Sequence, residues 1–248
     1  MPGALVLGGA TSDRVTVTAA AAINNLDPMT LLTWIYPTTL SNNRMFGSKV
    51  NAGNTIGWIW LLTGGAPSKL QFNRYRATTG TNYKTPASTV TTSTWQMFAT
   101  VYDSAAGAGN IVKHYRGVIG TDAVDVGNDG SPTDGSGANT DDSTYDLKVG
   151  NGVNDALAIQ GSVAAFAVFG AALSLADIKS WQKRPRKTVG SNTAKLFQRF
   201  GKYGTDVFEY TGLTTAITGC SQGNGVPLDQ GESVFERNPT TGLYQMSA

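Results

Sequence analysis

Short segments in which apolar and polar residues alternate recur along most of this chain, and they restrict its fold more than any other feature. Val15 and Val17 follow this alternation, and so do Leu32, Trp34 and Tyr36. A period of two is that of a half-buried β-strand. Clusters of Gly, Asn, Asp and Ser interrupt the segments at intervals typical of turns. The pattern predicts an all-β protein built from short strands.

One hairpin and one helix can be placed within this series. Residues 103–110 predict the loop of a β-hairpin that joins strands at 96–102 and 111–116. Only residues 173–183 have a helical pattern. Ser174 is a natural N-cap, Asp177 completes a variant of the capping box, and Pro185 stops the helix. We therefore expect one short helix after a long series of strands.

The order and spacing of seven motifs resemble those of a known family. The motifs are TLLTWIYP at 30–37, MFGSK at 45–49, TWQMFATVYD at 94–103, IVKHYRG at 111–117, LKVGN at 147–151, QGSVAAFAVF at 160–169 and LSLADI at 173–178. Together they resemble the laminin-G-like domains of the concanavalin A-like lectin/glucanase superfamily over residues 4–180. The resemblance implies a two-sheet antiparallel jelly-roll sandwich. This fold serves lectins, glycosidases, adhesion modules and virus-particle proteins, so it leaves function open.

Several polar positions of the family pattern differ in this chain. Arg116 stands where the family usually has the acid of a Tyr-x-Asp-Gly turn. Ala164 and Ala165 occupy positions that are often acidic or polar, and Asp177 replaces a Glu. The resemblance therefore predicts the scaffold, whereas several polar or ion contacts of the family have no counterpart here.

The chain continues well past the end of this resemblance. Its 248 residues and 26.0 kDa fit one large all-β domain with elaborations. We predict a jelly-roll sandwich over residues 1–183 and a strand-rich C-terminal extension over 184–248. The extension packs either on the sandwich or on a neighbouring subunit, and both alternatives stay open. Its apolar residues include Phe197, Phe200, Phe208, Tyr210, Phe235 and Tyr244.

The sequence also indicates where the protein is made. No apolar stretch approaches the roughly 18 residues that span a bilayer, and the first residues do not have the pattern of a signal peptide. Cys220 is the only cysteine, so an intrachain disulfide is excluded. We expect synthesis in a reducing cytoplasm and no membrane partner.

Catalytic residue types are scarce. Glutamate occurs only at 209, 232 and 236, outside the segment that resembles the family, although glycosidases need a close pair of carboxylates. His114 is the only histidine, and its place in a strand-like segment favours a hydrogen-bonded sheet residue over a general base. One His and one Cys cannot form a zinc site or a Cys/His catalytic pair. We therefore predict a protein without enzymatic activity.

Charge is unevenly distributed although the net charge is only +2. Residues 121–146 contain seven acids and no Lys or Arg, whereas 179–202 contain eight bases and no acid. The segments are either separate solvated surfaces or complementary docking surfaces. The predicted partner-binding residues are Lys183, Arg184, Arg186, Lys187, Arg199, Phe197 and Phe208. The basic segment lacks interleaved aromatic residues and a nucleic-acid-reading module, so nucleic acid is not expected as a partner.

The acidic segment also contains a fragment that is similar to a calcium-binding loop. Residues 125–130 carry oxygen ligands at alternating positions, among them Asp125 and Asp129, together with a turn glycine. The closing bidentate Glu of such loops is missing. Asp103 and Asp155 are further candidate ligands, since laminin-G-like domains often hold one calcium ion at a loop rim. The alternative is a solvated loop without a metal. Calcium is thus the single cofactor that the sequence raises, and no other is expected.

Two classes of function fit these features. The first is a non-enzymatic structural protein of a virus particle, since lectin-like domains of this family occur in bacteriophage particles. The chain would decorate or cement a capsid, or belong to a tail or fibre. Cytoplasmic synthesis, the lack of disulfides, the charged segments and the extension agree with this interpretation. Its localisation would be the virion, and its partners would be other virion proteins or copies of itself.

The alternative is a carbohydrate-binding module that recognises a cell-surface or polymer glycan. The two functions can coexist, because a protein on the surface of a virus particle can bind a host glycan. Sugar sites on this fold combine an aromatic platform with amides and acids. Trp58, Trp60 and Tyr75 are candidates for the platform, with Asn73 and Asn82 nearby in sequence. Trp58 and Trp60 share one strand face, and a position in the core is the other interpretation of both.

Overall fold

The computed structural model describes residues 4–40, 44–64, 67–87, 89–154, 157–200, 207–209, 212–223, 235–237 and 244–246. Besides strands, these residues form one α-helix, α1, and a 3-10 turn at Ala21–Ile23. The strands before the helix are β1 (Ala4–Gly8), β2 (Arg14–Val17), β3 (Met29–Pro37), β4 (Arg44–Val50), β5 (Gly57–Leu62), β6 (Leu70–Arg74), β7 (Thr81–Lys84), β8 (Gln96–Tyr102), β9 (Val112–Val118), β10 (Thr121–Asp125), β11 (Leu147–Val149) and β12 (Gln160–Phe169). After α1 (Leu175–Lys183) come β13 (Thr188–Val189), β14 (Asn192–Phe200), β15 (Val207–Glu209), β16 (Thr215–Thr218), β17 (Ser221–Gly223), β18 (Phe235–Arg237) and β19 (Tyr244–Met246).

Most of these strands belong to two antiparallel sheets. The first sheet has the order β10-β9-β8-β3-β12-β1-β17, and β14 also pairs with β12. The second sheet has the order β16-β2-β11-β4-β5-β6-β7. The predicted all-β sandwich with a single short α-helix is thereby confirmed. The predicted hairpin is also present, because β8 pairs with β9 across residues 103–111.

The main core lies between the two sheets and is rich in aromatic residues. Phe46 of the second sheet contacts Trp60 edge to face, with ring centroids 5.1 Å apart. It also stacks on Phe98 of the first sheet at 5.7 Å. Trp60 in turn lies 6.3 Å from Phe166 of β12. Because such pairs contribute more than their buried area alone, these contacts hold the two sheets together.

The helix covers the outer face of the first sheet. Ser174 and Asp177 form the predicted capping box at its N-terminus. Ile178 and Trp181 are buried in a second apolar cluster that also contains Trp34. The Nε1 group of Trp34 donates a hydrogen bond to the carbonyl of Gln182 at 3.2 Å, which fixes the helix against β3. The helix has nine residues, and no helix of the described residues is long and apolar enough to span a bilayer.

Strands that follow the helix take part in both sheets. The first half of β12 pairs with β1, whereas its second half pairs with β14. Leu196 and Phe200 of β14 belong to the main core. Further along the chain, β16 pairs with β2 and β17 pairs with β1. The division into a sandwich at 1–183 and an extension at 184–248 stays a prediction, but β14, β16 and β17 are strands of the sandwich.

Residues 126–146, which we call the acidic strap, run along the edge of the second sheet. Asn82 of β7 and Thr133 of the strap exchange backbone hydrogen bonds of 2.8 Å. Asp129 lies 3.1 Å from the ammonium group of Lys69, and Asp134 accepts a hydrogen bond from the hydroxyl group of Tyr83. The strap therefore covers β7, an edge strand whose free backbone groups would otherwise be open to another chain.

One buried carboxylate fixes the end of the strap. Asp142 is fully buried and lies 2.9 Å from Nη1 of Arg74 and 3.1 Å from Nζ of Lys49. It also accepts a hydrogen bond of 2.8 Å from the backbone N–H of Asn25. Burial lowers the pKa of Lys49, while the Asp142 carboxylate acts against that shift. The carboxylate stabilises two buried cations that would be costly without it.

We expect the substitution Asp142→Asn to destabilise the fold strongly. It leaves Lys49 and Arg74 buried without their carboxylate, and the loss of one partner from a buried pair costs about 3–5 kcal/mol. Asp141→Asn is the matched control, because its carboxylate is exposed and should contribute less than about 1 kcal/mol. Urea unfolding of both variants measures the difference. Similar losses for the two would contradict the role assigned to Asp142.

We expect truncation after Gln182 to abolish cooperative folding. The shortened chain loses Leu196 and Phe200 from the core, and β1, β2 and β12 each lose a paired strand. Truncation after Gly223 is the control, since among the described strands β18 and β19 form a separate two-stranded sheet. Thermal unfolding followed by near-ultraviolet circular dichroism compares the two. Cooperative unfolding of the shorter chain would show that residues 1–182 fold on their own.

Candidate functional site

The two tryptophans predicted as a sugar platform lie inside the sandwich. Trp58 and Trp60 expose 2% and 0% of their surface, and both belong to the main core. A ring that stacks on a sugar must present one face to solvent. Trp58 and Trp60 therefore cannot form such a platform, and their alternative interpretation as core residues is the one that the structure supports.

The outer face of the same strands brings other predicted residues together. Side chains alternate along β5, β6 and β7, so the residues between the core positions face outward. Ile59 is opposite Asn73, and Asn73 is opposite Asn82. Directly paired residues have side chains about 5 Å apart. Asn73 and Asn82 are both half-buried and form one row across the sheet.

A second row lies beside the first. Leu61, Gln71 and Lys84 are paired in the same way across the three strands. Nε2 of Gln71 donates a hydrogen bond to Oδ1 of Asn73 at 2.9 Å, which fixes the orientation of the Asn73 amide. Within the described part of the chain, no hydrogen bond holds the side chain of Asn82. We call Gln71, Asn73, Tyr75, Asn82 and Lys84 the amide face.

Tyr75 forms the end of the amide face and connects it to an apolar layer. It follows β6, and its backbone N–H donates to the carbonyl of Gly57 at 2.8 Å. Its side chain packs against an apolar cluster on the outer face of the second sheet. The members of that cluster are Met45, Val50, Ile59, Leu61, Val153 and Leu157. Burial raises the pKa of the Tyr75 hydroxyl group, so the ring carries a neutral hydroxyl at physiological pH.

Three of the five residues predicted for carbohydrate binding thus share one surface, namely Asn73, Tyr75 and Asn82. Sequence reasoning missed Gln71 and Lys84. A signal for both was present, because each lies two residues from an Asn on the same strand and must face the same way. Which face of β6 and β7 points outward depends on the packing of β5, and the local sequence does not reveal it.

The three predicted calcium ligands that the structure describes, Asp103, Asp125 and Asp129, do not form one cluster. Asp125 accepts a hydrogen bond from the N–H of Gly127, and Asp103 accepts one from the N–H of Ala105. Asp129 is paired with Lys69. Asp155 lies outside the described residues. In the ranges that the structure describes, no three metal-ligating side chains converge.

Lys183, one of the predicted docking residues, has a partner within the chain. Asp122 of the acidic segment lies 2.9 Å from Nζ of Lys183 and 3.9 Å from Nζ of Lys179. The hydrogen bond from Lys183 lowers the pKa of Asp122. The acidic and basic segments therefore meet in one molecule at this point, where α1 packs on β10.

The other predicted partner-binding residues differ in their solvent exposure. Phe197 is buried in the cluster under α1, so its prediction as an exposed docking residue is wrong. Nη2 of Arg186 donates to Oγ of Ser180 at 2.7 Å. Arg184 and Lys187 are exposed, and Arg199 is half-buried. Phe208 belongs to β15, and its side chain lies outside the described part of the structure.

His114 is enclosed between the two sheets. It is fully buried, and its Nδ1 atom lies 2.8 Å from Oγ1 of Thr100. Its Nε2 atom lies 3.4 Å from the carbonyl of Tyr83 on the opposite sheet. Burial lowers the pKa of the imidazole to about 4. The residue links the sheets and cannot contact a ligand at the surface, in agreement with its interpretation as a sheet histidine.

Comparison with known proteins agrees with this architecture. A laminin-G-type family model, described as the concanavalin A-like lectin/glucanases superfamily, matches residues 8–179. No curated protein sequence matches the chain. A heptameric SAP-like pentraxin from Limulus polyphemus is similar in structure, with a TM-score of 0.54 and 10% identity over 88% of this chain and 96% of the pentraxin. A provisionally assigned carbohydrate binding protein from Bacteroides ovatus has a TM-score of 0.56 and 14% identity over 91% of this chain and 61% of its own. At these identities the likeness is one of fold.

We expect His114 to make the protein less stable in mild acid. The imidazole pKa is about 4 in the folded state and 6.5 as its ordinary value, so the unfolded chain binds more protons between these limits. Stability should therefore fall as the pH drops from 6.5 to 4, by up to about 3 kcal/mol. Urea unfolding of the native protein and of His114→Gln over this range measures the effect. Parallel pH profiles of the two proteins would contradict it.

Proposed function

Because the chain belongs to the concanavalin A-like lectin/glucanase superfamily, we propose that it is a non-catalytic carbohydrate-binding module whose site is the amide face. The observation that carries this proposal is the outward row of Asn73 and Asn82 on neighbouring strands. The fold offers a rigid support for such a row, because every strand beneath it is paired on both sides or covered by the acidic strap.

The chemistry of the amide face suits sugar hydroxyl groups. A side-chain amide offers donors and an acceptor in one plane, and a sugar hydroxyl group can do both at once. The bond from Gln71 holds the Asn73 amide in place and so reduces the entropy lost on binding. The half-buried Tyr75 ring can receive the C–H surface of a sugar ring beside these amides. Binding sites generally combine apolar area with a few placed polar groups.

The proposal is one of binding without hydrolysis. Glycosidases of most families need two carboxylates on opposite sides of the scissile bond. The amide face consists of amides, a tyrosine and a lysine, and it contains no carboxylate. Asp129 and Asp134 of the strap, which borders β7, are held by Lys69 and Tyr83. We therefore infer a lectin-type role for this face.

A test compares glycan binding before and after removal of the amide row. We expect the native protein to bind one class of polysaccharide on a glycan array. The double variant Asn73→Ala and Asn82→Ala should bind at least tenfold more weakly, since each lost hydrogen bond costs about 1 kcal/mol or more. Titration calorimetry with the strongest glycan measures the ratio.

The control for this test is Asn110→Ala, which removes an exposed amide from the loop between β8 and β9. Unchanged urea unfolding of both variants shows that they are folded. Two results would contradict the proposal. One is equal affinity of the native protein and the double variant, and the other is failure of the native protein to bind any glycan on the array.

The structural role in a virus particle stays a prediction. Its electrostatic argument needed the acidic and basic segments to face another molecule, whereas Lys179 and Lys183 meet Asp122 within the chain. Its proposed arm, residues 184–248, includes β14, which contributes Leu196 and Phe200 to the core. A particle protein can also bind a host glycan, so the amide face is compatible with that setting.

A further inference from the structure

The acidic strap bonds to the backbone of the amide face at three points. In order along the strap, the residues that meet are Asp129 and Lys84, Thr133 and Asn82, and Thr140 and Tyr75. The first two contacts include backbone hydrogen bonds of 2.8 Å. At the third, the Thr140 hydroxyl group donates to the Tyr75 carbonyl at 3.0 Å and accepts a bond from the Gly57 N–H at 2.9 Å. The strap therefore fixes the backbone from which three of the amide-face side chains project.

The strap is held to the sheet by polar contacts rather than by apolar burial. Of residues 126–146, Asp142 alone is buried, and none belongs to an apolar cluster of the described residues. Segments with little buried apolar surface open locally at a lower free energy than the whole domain. Because Asp142 is fixed between Lys49 and Arg74, the part of the strap that can leave the sheet is residues 126–141.

A glycine allows the strap to lie this close to the sheet. Gly135 has a φ of +76°, and a Cβ atom on it would lie 2.7 Å from both the Thr79 carbonyl oxygen and the Thr81 backbone nitrogen. Both atoms belong to the backbone, which cannot turn aside as a flexible side chain can. An alanine at this position would be strained in its conformation and would also push the strap away from the sheet.

We propose that docking of the acidic strap regulates glycan binding at the amide face, an inference that rests on the proposed function. In the docked state, the strap aligns Lys84, Asn82 and Tyr75 for one ligand. In the released state these residues lose their bonds to the strap, so the ligand meets a site that is no longer aligned. A ligand that binds one state better shifts the equilibrium towards that state. The glycan and the docked strap therefore stabilise each other, and the apparent affinity falls with the docked fraction.

The substitution Gly135→Ala tests the link from the strap to the ligand. It should favour the released state and weaken binding of the strongest glycan on the array at least tenfold, as measured by titration calorimetry. Gly120→Ala is the matched control. Gly120 has a φ of +79° in the turn between β9 and β10, and no atom beyond its chain neighbours lies within 4 Å of an added Cβ. This variant carries the same backbone strain and should keep the native affinity, so equal affinities of the two variants would overturn the proposal.

Hydrogen exchange of the native protein tests the link from the ligand to the strap. The N–H of Ser136 donates to the Thr79 carbonyl at 2.8 Å, and neither residue belongs to the amide face. Saturation with the glycan should slow the exchange of this N–H at least fivefold, as followed by NMR, because coupling between two sites is reciprocal. The N–H of Asn110, which bonds to Gly107 in the loop between β8 and β9, should be unaffected. Unchanged exchange at Ser136 while the glycan is bound would refute the coupling, even if Gly135→Ala does not fold.

Exchange without any glycan separates this inference from the proposed function. The Ser136 N–H should exchange through local opening, at least tenfold faster than the N–H of Phe98 in the middle of the first sheet. If Ser136 exchanges only when the whole domain unfolds, as Phe98 does, the strap has no released state and the inference fails by itself. Local opening at Ser136 in a protein that binds no glycan would contradict the proposed function, and with it the regulation, but not the opening of the strap.

Discussion

The carboxylate of Asp142 is the interaction on which the shape of the second sheet depends. It joins the acidic strap to Lys49 of β4 and Arg74 of β6, so three separate parts of the chain meet at one buried charge. Arg74 is flanked on β6 by Asn73 and precedes Tyr75, and both of these face the other way. The ion pair inside the sandwich therefore fixes the position of the amide face outside it. A ligand at this surface would bind to a strand that is held from behind.

The sequence predicts the scaffold well because the scaffold depends on local patterns. The strand at 30–37, the hairpin at 103–110 and the cap at Ser174 are each visible within a few residues, and each is confirmed. However, β3 is buried on both faces along most of its length and is not half-buried as its alternation predicted. The tryptophans of β5 show the limit of such patterns. Period two places Trp58 and Trp60 on the same face, but β5 is buried on both sides, so the pattern does not reveal which face points outward.

Contacts between distant parts of the chain account for what sequence reasoning missed. The sequence left open whether the acidic and basic segments are separate surfaces or complementary ones, and only the packing of α1 on β10 brings Lys183 to Asp122. In the same way, Asp129, which was predicted as a calcium ligand, contacts Lys69, and Asp134 and Asp141 of the same strap contact Tyr83 and Asn25. Aspartate suits both purposes, and the choice between them depends on which side chains the fold brings near.

The strand order also has a consequence for how the chain is synthesised. Leu5 of β1 pairs with Val163, and Val15 of β2 pairs with Val149. These partner strands are translated much later than β1 and β2, so the first two strands cannot form these pairs until then. At ribosomal speeds this delay is roughly 10–30 s. During that time two strands of Leu and Val are exposed without a sheet to join. The nascent chain should therefore depend on chaperones that shield apolar segments, and slow translation before β11 and β12 would prolong that dependence.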